Sequence, residues 1–283
     1  MPAHESFGCR LHYEVGGAGP PVVFIQGTGV HGAGWAPQTA VLQSEFRCLS
    51  FDHRGMGASQ PTGARPTIEQ LARDTLVLMD AQGWASAHVV GHSLGGLVAL
   101  EVALAARPRV RSLALLCTFA RGRDATRLTP TMLWTGLRTR IGTRAQRRRA
   151  FLELVLPASA RDDAETEAIA ADLAPLFGHD LADQPPIVMA QLRAMTAYDA
   201  TPRLAALAGL RTVVMSAAAD RIAPPPLGRA LAAGIPGAVY HELVGAAHGM
   251  PIHRAPEVNA VLRAHLQRSE AAILPCAATD RDF

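Results

Sequence analysis

The chain has 283 residues, a formal net charge of +3 and an apolar fraction of 49%, which suits one large α/β domain or two small ones with a full core. It contains no lysine, and this excludes a Schiff-base lysine and the phosphate-binding P-loop, since both need the lysine amine. Its four cysteines lack metal-ligand spacing, so we expect no metal site, and the pattern favours a reducing compartment.

The N-terminal segment "MPAHESFGCR" lacks the apolar core of a signal peptide. No stretch of the sequence has the unbroken apolar length of a membrane span. We therefore predict a cytoplasmic protein with no membrane contact. No recognised module or basic–aromatic pattern indicates nucleic-acid binding.

Strands and helices alternate along residues 1–118. Predicted buried strands cover 22–27, 47–52, 87–93 and 110–118, and predicted helices cover 35–46, 67–84 and 94–107. This alternation predicts right-handed βαβ units and a mostly parallel central sheet flanked by helices.

The alternation stops at residue 119, and the sequence is helical from there to residue 208. It resumes over 209–268. We therefore predict one α/β core formed by 1–118 and 209–268, with a helical insertion at 119–208. Residues 269–283 have weak periodicity and are predicted to form a loose tail.

The pentapeptide Gly91-His92-Ser93-Leu94-Gly95 has the G-x-S-x-G spacing and joins a predicted strand directly to a predicted helix. A nucleophile elbow requires this setting, because its serine lies at a sharp, strained turn. Side chains two residues away on either side would collide, which explains the two glycines. We therefore predict Ser93 as a nucleophile, and the alternative is a simple Gly/Ser turn.

A serine hydroxyl needs a base, and the base needs an acid that orients it. His248 lies in a loop between a late predicted strand and the final helix and is the predicted base, with His253 and His265 as competitors. Asp220 ends a predicted strand, at the sheet edge where open α/β folds bind ligands, and is the predicted acid. Asp124 is the alternative acid.

These motifs together resemble the α/β-hydrolase fold superfamily of esterases, lactonases and carbon–carbon hydrolases. Residues 52–59 resemble the D-x-R-G-x-G-x-S loop of that family, residues 214–225 its acid-strand motif and residues 245–259 its histidine loop. The resemblance extends to about Arg268. It implies that the helical insertion corresponds to the cap of the family.

The segment "VVFIQGTGVHGAGW" at 22–35 allows two interpretations. Its glycines have the G-x-G-x-x-G spacing of a dinucleotide-binding loop, which would indicate an oxidoreductase. The family resemblance implies an oxyanion hole instead, in which the backbone amide of Thr28 acts together with that of Leu94. Gln26 departs from the family, which usually has histidine at this position.

The predicted substrate pocket combines residues beside the elbow with apolar side chains of the insertion. The candidates are Gly27, His92, Met132, Trp134, Met189 and Met250, with Phe151, Leu152 and Phe177 as further possibilities in the insertion. For each apolar residue of the insertion taken singly, packing within the insertion is the alternative.

The insertion also carries a cluster of arginines. Its members are Arg138, Arg140, Arg144, Arg147, Arg148 and Arg149. A solvated helical face accounts for such a cluster, and the alternative is recruitment of an anionic substrate or an acidic carrier protein.

The leading hypothesis is a serine hydrolase that cleaves a carboxylic ester or lactone of a small to medium apolar acyl substrate. The resemblance implies neither a metal nor an organic cofactor. One alternative keeps the same site and cleaves a carbon–carbon bond, or acts as a cyclase or thioesterase of secondary metabolism. A second alternative is a ligand receptor that retains the triad.

Overall fold

The computed structural model of the protein describes residues 2–61, 65–125, 130–161 and 164–273, and for residues 125 and 130–133 it describes the backbone alone. The strands of this part are β1 (Ala3–Ser6), β2 (Cys9–Gly16), β3 (Pro21–Ile25), β4 (Arg47–Phe51), β5 (Ala87–His92), β6 (Val110–Leu116), β7 (Thr212–Ala217) and β8 (Val239–Leu243). They form one sheet in the order β1-β2-β4-β3-β5-β6-β7-β8.

The β1–β2 and β2–β4 pairs are antiparallel, and the remaining pairs of the sheet are parallel. The predicted mostly parallel sheet is thereby confirmed. The sequence did not predict β1, which lies at the sheet edge and is tied to β2 by the turn at Phe7 and Gly8, both with positive φ.

Helices cover both faces of the sheet and fill the segment between β6 and β7. Over the described residues they are α1 (Ala36–Leu42), α2 (Ile68–Ala81), α3 (Leu94–Ala105), α4 (Gly122–Ala125), α5 (Pro130–Arg138), α6 (Arg144–Val155), α7 (Thr166–Phe177), α8 (Val188–Ala197), α9 (Pro225–Gly234), α10 (Met250–His253) and α11 (Ala255–Ile273).

The period-two alternation of the strands divides the core into two layers. In β3, Val23 and Ile25 pack with α2, α3 and α9. Val22 and Phe24 point to the opposite face and pack with α1 and α11. Helix α3 is buried along its whole first ten residues, which explains why its sequence is apolar on every side.

Residues 119–208, which we call the cap, contribute α4 to α8. Apolar side chains of α6 and α7 form a separate cluster with Leu181, and Val30 of the core packs into it. Met195 of α8 and Leu204 pack instead with the main core. The cap therefore rests directly on the loop that follows β3.

Residues 269–273 do not form the loose tail that the sequence predicted. Helix α11 continues to Ile273, and Ser269 is buried. Glu270 accepts a hydrogen bond from Arg111 at 2.9 Å, and its carboxylate lies 2.9 Å from Nε2 of His88. These contacts hold the last turn on the core, while residues 274–283 lie outside the described part of the chain.

No helix in the described part of the chain combines the length and the apolar character that crossing a bilayer requires.

Two buried histidines, one on α11 and one on β5 beneath it, make the packing of this helix sensitive to pH. Burial lowers the pKa of His88 and of His265 from 6.5 to about 4. As the pH falls from 6.5 towards 4, the unfolded chain takes up protons that the folded protein does not. The free energy of unfolding therefore falls over this range.

The free energy of unfolding of the wild-type protein falls between pH 7 and pH 5. We predict that this fall is roughly 2 kcal/mol smaller in the His265→Gln variant. Urea unfolding at the two pH values, followed by circular dichroism, measures this difference. An equal loss in the variant and in the wild-type protein would contradict the prediction.

Candidate active site

Ser93 lies between β5 and α3 with φ 54° and ψ −118°, a conformation that a non-glycine residue rarely adopts. Backbone packs tightly around this turn. A Cβ atom on Gly91 would lie 2.2 Å from the Gly95 carbonyl oxygen, and a Cβ on Gly95 would lie 2.1 Å from that of Ile25. The Ser93 N–H donates to the Leu116 carbonyl at 2.9 Å, which fixes the turn to β6.

The predicted base and acid lie next to this serine. His248 follows β8, and its Nε2 is 3.0 Å from the Ser93 Oγ. Its Nδ1 is 2.7 Å from Oδ2 of Asp220, which follows β7. All three side chains are buried. Ser93, His248 and Asp220 therefore form one continuous hydrogen-bonded series, although Ser93 and His248 are 155 positions apart in the sequence.

The environment of Asp220 keeps its carboxylate ionised. Burial opposes ionisation, but the adjacent His248 and the amides of Ile222 and Ala223, at 2.8 and 2.9 Å, outweigh it and hold the pKa of Asp220 below its usual value. Burial and the same carboxylate raise the pKa of Cys117 well above its usual value. Cys117 is therefore a neutral thiol beside a charged acid.

The competing candidates serve other contacts. Asp124 bonds to Arg121 at 2.9 Å on α4. His253 accepts from the Ala247 N–H at 3.3 Å and so supports the loop before His248. The third competitor, His265, is buried within α11 beneath the sheet.

His92 supports His248 from the side. Its Nε2 donates to the His248 carbonyl oxygen at 2.9 Å, and the two ring centroids are 4.9 Å apart. Burial lowers the pKa of His92 to about 3, so the ring is neutral. His92, Cys117 and His248 place possible metal ligands within 4.8 Å of one another, but the contacts to Ser93 and Asp220 already occupy both ring nitrogens of His248.

The loop after β3 leaves two backbone amides available beside Ser93. The Gln26 side chain accepts from the Gly27 N–H at 2.8 Å, so this amide is occupied. Neither the Thr28 N–H nor the Leu94 N–H donates to another residue of the described chain. Leu94 is the first residue of α3, where amides have no acceptor within the helix and the dipole favours negative charge.

The glycine spacing in this loop has a packing explanation rather than a nucleotide-binding one. The Gly32 N–H donates to the Asp52 carboxylate at 2.8 Å, and a Cβ on Gly32 would lie 2.9 Å from backbone atoms of Phe51. A Cβ on Gly29, which has φ +70°, would lie 2.9 Å from Val188 of the cap. Asp52, the acid that a dinucleotide site would use for a ribose, is thus engaged within the protein.

Two cap residues that sequence analysis did not identify hold the loop that follows β3. Gln191 on α8 accepts from the Gly29 N–H at 2.9 Å, and His179 donates from Nε2 to the Gly29 carbonyl at 2.9 Å. Gln191 is completely buried. Both polar groups of Gly29, the residue after Thr28, are therefore fixed by the cap.

The cap also bonds to the other loop beside the site. The Val155 carbonyl accepts from the Gly249 N–H at 2.8 Å, directly after His248. The Phe177 carbonyl accepts from the His31 N–H at 3.3 Å. No local sequence signal predicts these contacts, because each joins residues far apart in the chain.

A mainly apolar cavity of about 200 Å³ opens onto Ser93 and His248. The cap and the loops around it supply its apolar lining, which includes Val30, Phe151, Leu154, Val155, Phe177, Val188, Leu192, Met195, Ile222 and Ile252. Its polar lining includes Gln26, Thr28, His92, His179 and Gln184.

The structure brings only some of the predicted pocket residues to this cavity. Gly27, His92, Phe151 and Phe177 line it. Trp134 and Met189 instead lie on the outer surface of the cap with 58% and 43% exposure, Met250 is buried in the core layer beneath α11, and Leu152 packs inside the cap. The side chain of Met132 lies outside the described residues.

Comparison with known proteins agrees with this geometry. The sequence profile of the alpha/beta hydrolase fold matches residues 20–255. A protein of Azorhizobium caulinodans with the provisional name carbamate hydrolase RutD is 32% identical over 253 residues, which are 88% of this chain and 91% of that protein.

Two solved structures resemble more than nine tenths of the chain. The enol-lactonase from Burkholderia xenovorans LB400 has a TM-score of 0.79 at 30% identity, covering 94% of this chain and 100% of its own. A thermophilic esterase from Thermogutta terrifontis has a TM-score of 0.75 at 26% identity, covering 92% of this chain and 94% of its own. The chain belongs to the α/β-hydrolase fold family.

Proposed function

We propose that the protein is a serine hydrolase that cleaves a carboxylic ester or lactone through an acyl-enzyme. The observation that carries this proposal is the hydrogen-bonded series from Ser93 through His248 to Asp220. Such a series activates a hydroxyl as a nucleophile without a metal or an organic cofactor.

The geometry supports the following steps. His248 Nε2 takes the Ser93 hydroxyl proton as the Ser93 Oγ attacks the carbonyl carbon of the substrate. The oxyanion that forms accepts hydrogen bonds from the amides of Thr28 and Leu94. His248 then returns the proton to the leaving alcohol, and Asp220 stabilises the imidazolium throughout.

Deacylation repeats the same proton movements with water. A water molecule gives its proton to His248 and attacks the acyl carbon, and the collapse of the second tetrahedral intermediate frees the acid and restores the Ser93 hydroxyl. The neutral His92 ring holds the His248 carbonyl and so keeps the base in place during both steps.

The cavity supports an apolar acyl group of small to medium size, because most of its lining is aliphatic or aromatic. The relatives support the reaction class. One of them is an enol-lactonase and another an esterase, and both reactions begin with attack on an acyl carbon.

We predict that Ser93→Ala lowers the kcat of p-nitrophenyl ester hydrolysis by about 10⁴-fold or more, because no other group supplies the nucleophile. A panel of short and long acyl esters, lactones and thioesters measures this loss. The control is Ser44→Ala, which alters an exposed serine and should leave kcat unchanged. Circular dichroism verifies that both variants fold.

Two results would refute the proposed function. The first is a Ser93→Ala protein that retains wild-type ester hydrolysis. The second is a wild-type protein that cleaves none of the panel but bleaches a coloured ring-fission product, since this would assign the site to carbon–carbon bond hydrolysis.

We predict that Gln191→Met, which keeps the side-chain volume but removes the acceptor, lowers kcat about tenfold and leaves KM nearly unchanged. Complete loss of an oxyanion donor costs about 3 kcal/mol. Without the bond to Gly29 the Thr28 amide is misaligned but still present, so the expected loss is smaller. Gln191→Glu keeps an acceptor oxygen and should retain more of the activity. A rise in KM at constant kcat would show that Gln191 shapes the pocket and does not position the loop that follows β3.

A further inference from the structure

Most of the arginine cluster is neutralised within the cap. Four of its members pair with cap carboxylates: Arg138 and Arg149 with Glu153, Arg144 with Asp180 and Asp183, and Arg148 with Asp180 and Glu167. Arg140 and Arg147 have no carboxylate within ion-pair distance in the part of the chain that the structure describes. The positive charge that remains is therefore confined to these two side chains.

Arg140 and Arg147 line the same cavity, which has a volume of about 400 Å³. The Nε of Arg147 is buried and has no acceptor among the described residues, and a buried donor without an acceptor is costly. Asp183 also lines the cavity, but both of its oxygens accept from Arg144 at 3.0 and 3.1 Å. The cavity thus presents two guanidinium groups and one neutralised carboxylate.

This second cavity adjoins the one above Ser93. Gln184, Pro185 and Val188 line both of them. The first cavity is lined mainly by apolar side chains, and among the described residues no arginine is part of its lining. The shared residues form the boundary between the two cavities, and Arg140 and Arg147 lie on the side of it away from Ser93.

We propose that Arg140 and Arg147 form a subsite for an anionic group at the end of the acyl chain remote from the scissile bond. The preferred substrate is then an ester or lactone whose acyl part ends in a carboxylate. Guanidinium groups bind carboxylates through paired, charge-assisted hydrogen bonds. This inference rests on the proposed function and names its substrate class.

The test compares p-nitrophenyl esters of matched chain length that end either in a methyl group or in a carboxylate. The wild-type protein should show a kcat/KM about tenfold or more higher for the carboxylate ester at one chain length. The Arg140→Gln/Arg147→Gln variant should lose this advantage while its kcat/KM for the methyl-ended esters stays unchanged. Arg138→Gln, which alters a paired arginine outside the cavity, is the matched control and should keep the advantage.

The inference is overturned if the wild-type protein prefers the methyl-ended ester at every chain length. It is equally overturned if the double variant and the wild-type protein show the same ratio. In both cases the hydrolysis of neutral esters, and with it the proposed function, would still stand.

A binding measurement decides the inference even if no ester is hydrolysed. Isothermal titration of the Ser93→Ala protein with the monoamide of a dicarboxylic acid should give a Kd that the double substitution raises about tenfold. Equal Kd values, or no binding to either protein, would overturn the subsite.

Discussion

The close approach of backbone segments around Ser93 is the constraint on which the remaining site depends. The Ser93 carbonyl accepts from the Thr118 hydroxyl at 2.8 Å, while its N–H donates to β6. Gly91 and Gly95 leave space for neighbouring carbonyls that any Cβ would strike. The positive φ of Ser93 is therefore enforced from both sides of the turn, which lifts the hydroxyl above the sheet.

The order of the strands then determines what surrounds this hydroxyl. β5 lies between β3 and β6, so the loop after β3 meets the elbow and carries the Thr28 amide to it. β7 and β8 follow on the other side of β6, and the residues after them supply Asp220 and His248. The parallel sheet thus collects four loops at one edge, which is where open α/β folds bind ligands.

The cap contributes to the site as well as covering it. Gln191 and His179 hold Gly29 next to one proposed oxyanion donor, and Val155 holds Gly249 next to the base. A movement of the cap would therefore alter the alignment of the catalytic loops together with access to the cavity. The same segment supplies Arg140 and Arg147, the two residues of the proposed anionic subsite.

The sequence was sufficient to predict the mostly parallel sheet, apart from the edge strand β1, and the residues that the structure brings together at Ser93. Ser93 directly follows β5, and Asp220 and His248 lie in the loops after β7 and β8. The ends of these strands meet at one edge of the sheet. The sequence was insufficient for contacts between the cap and the core, because hydrogen bonds such as Gln191 to Gly29 join residues 162 positions apart. It also did not establish which cap side chains face the cavity. Val188 lines the cavity, whereas the next residue, Met189, is exposed. Which of two neighbouring residues faces the cavity depends on the rotation of α8 about its axis, and this rotation is set by packing against the core.

The central claim is that Ser93 carries the acyl group during turnover. Rapid acid quenching of the wild-type protein with a p-nitrophenyl ester, followed by peptide mass spectrometry, tests this claim most directly. We expect a mass increase equal to the acyl group on the peptide that contains Ser93, and no such increase in the Ser93→Ala protein. An acyl group on another residue, or steady hydrolysis with no adduct at Ser93 at any quench time, would contradict it.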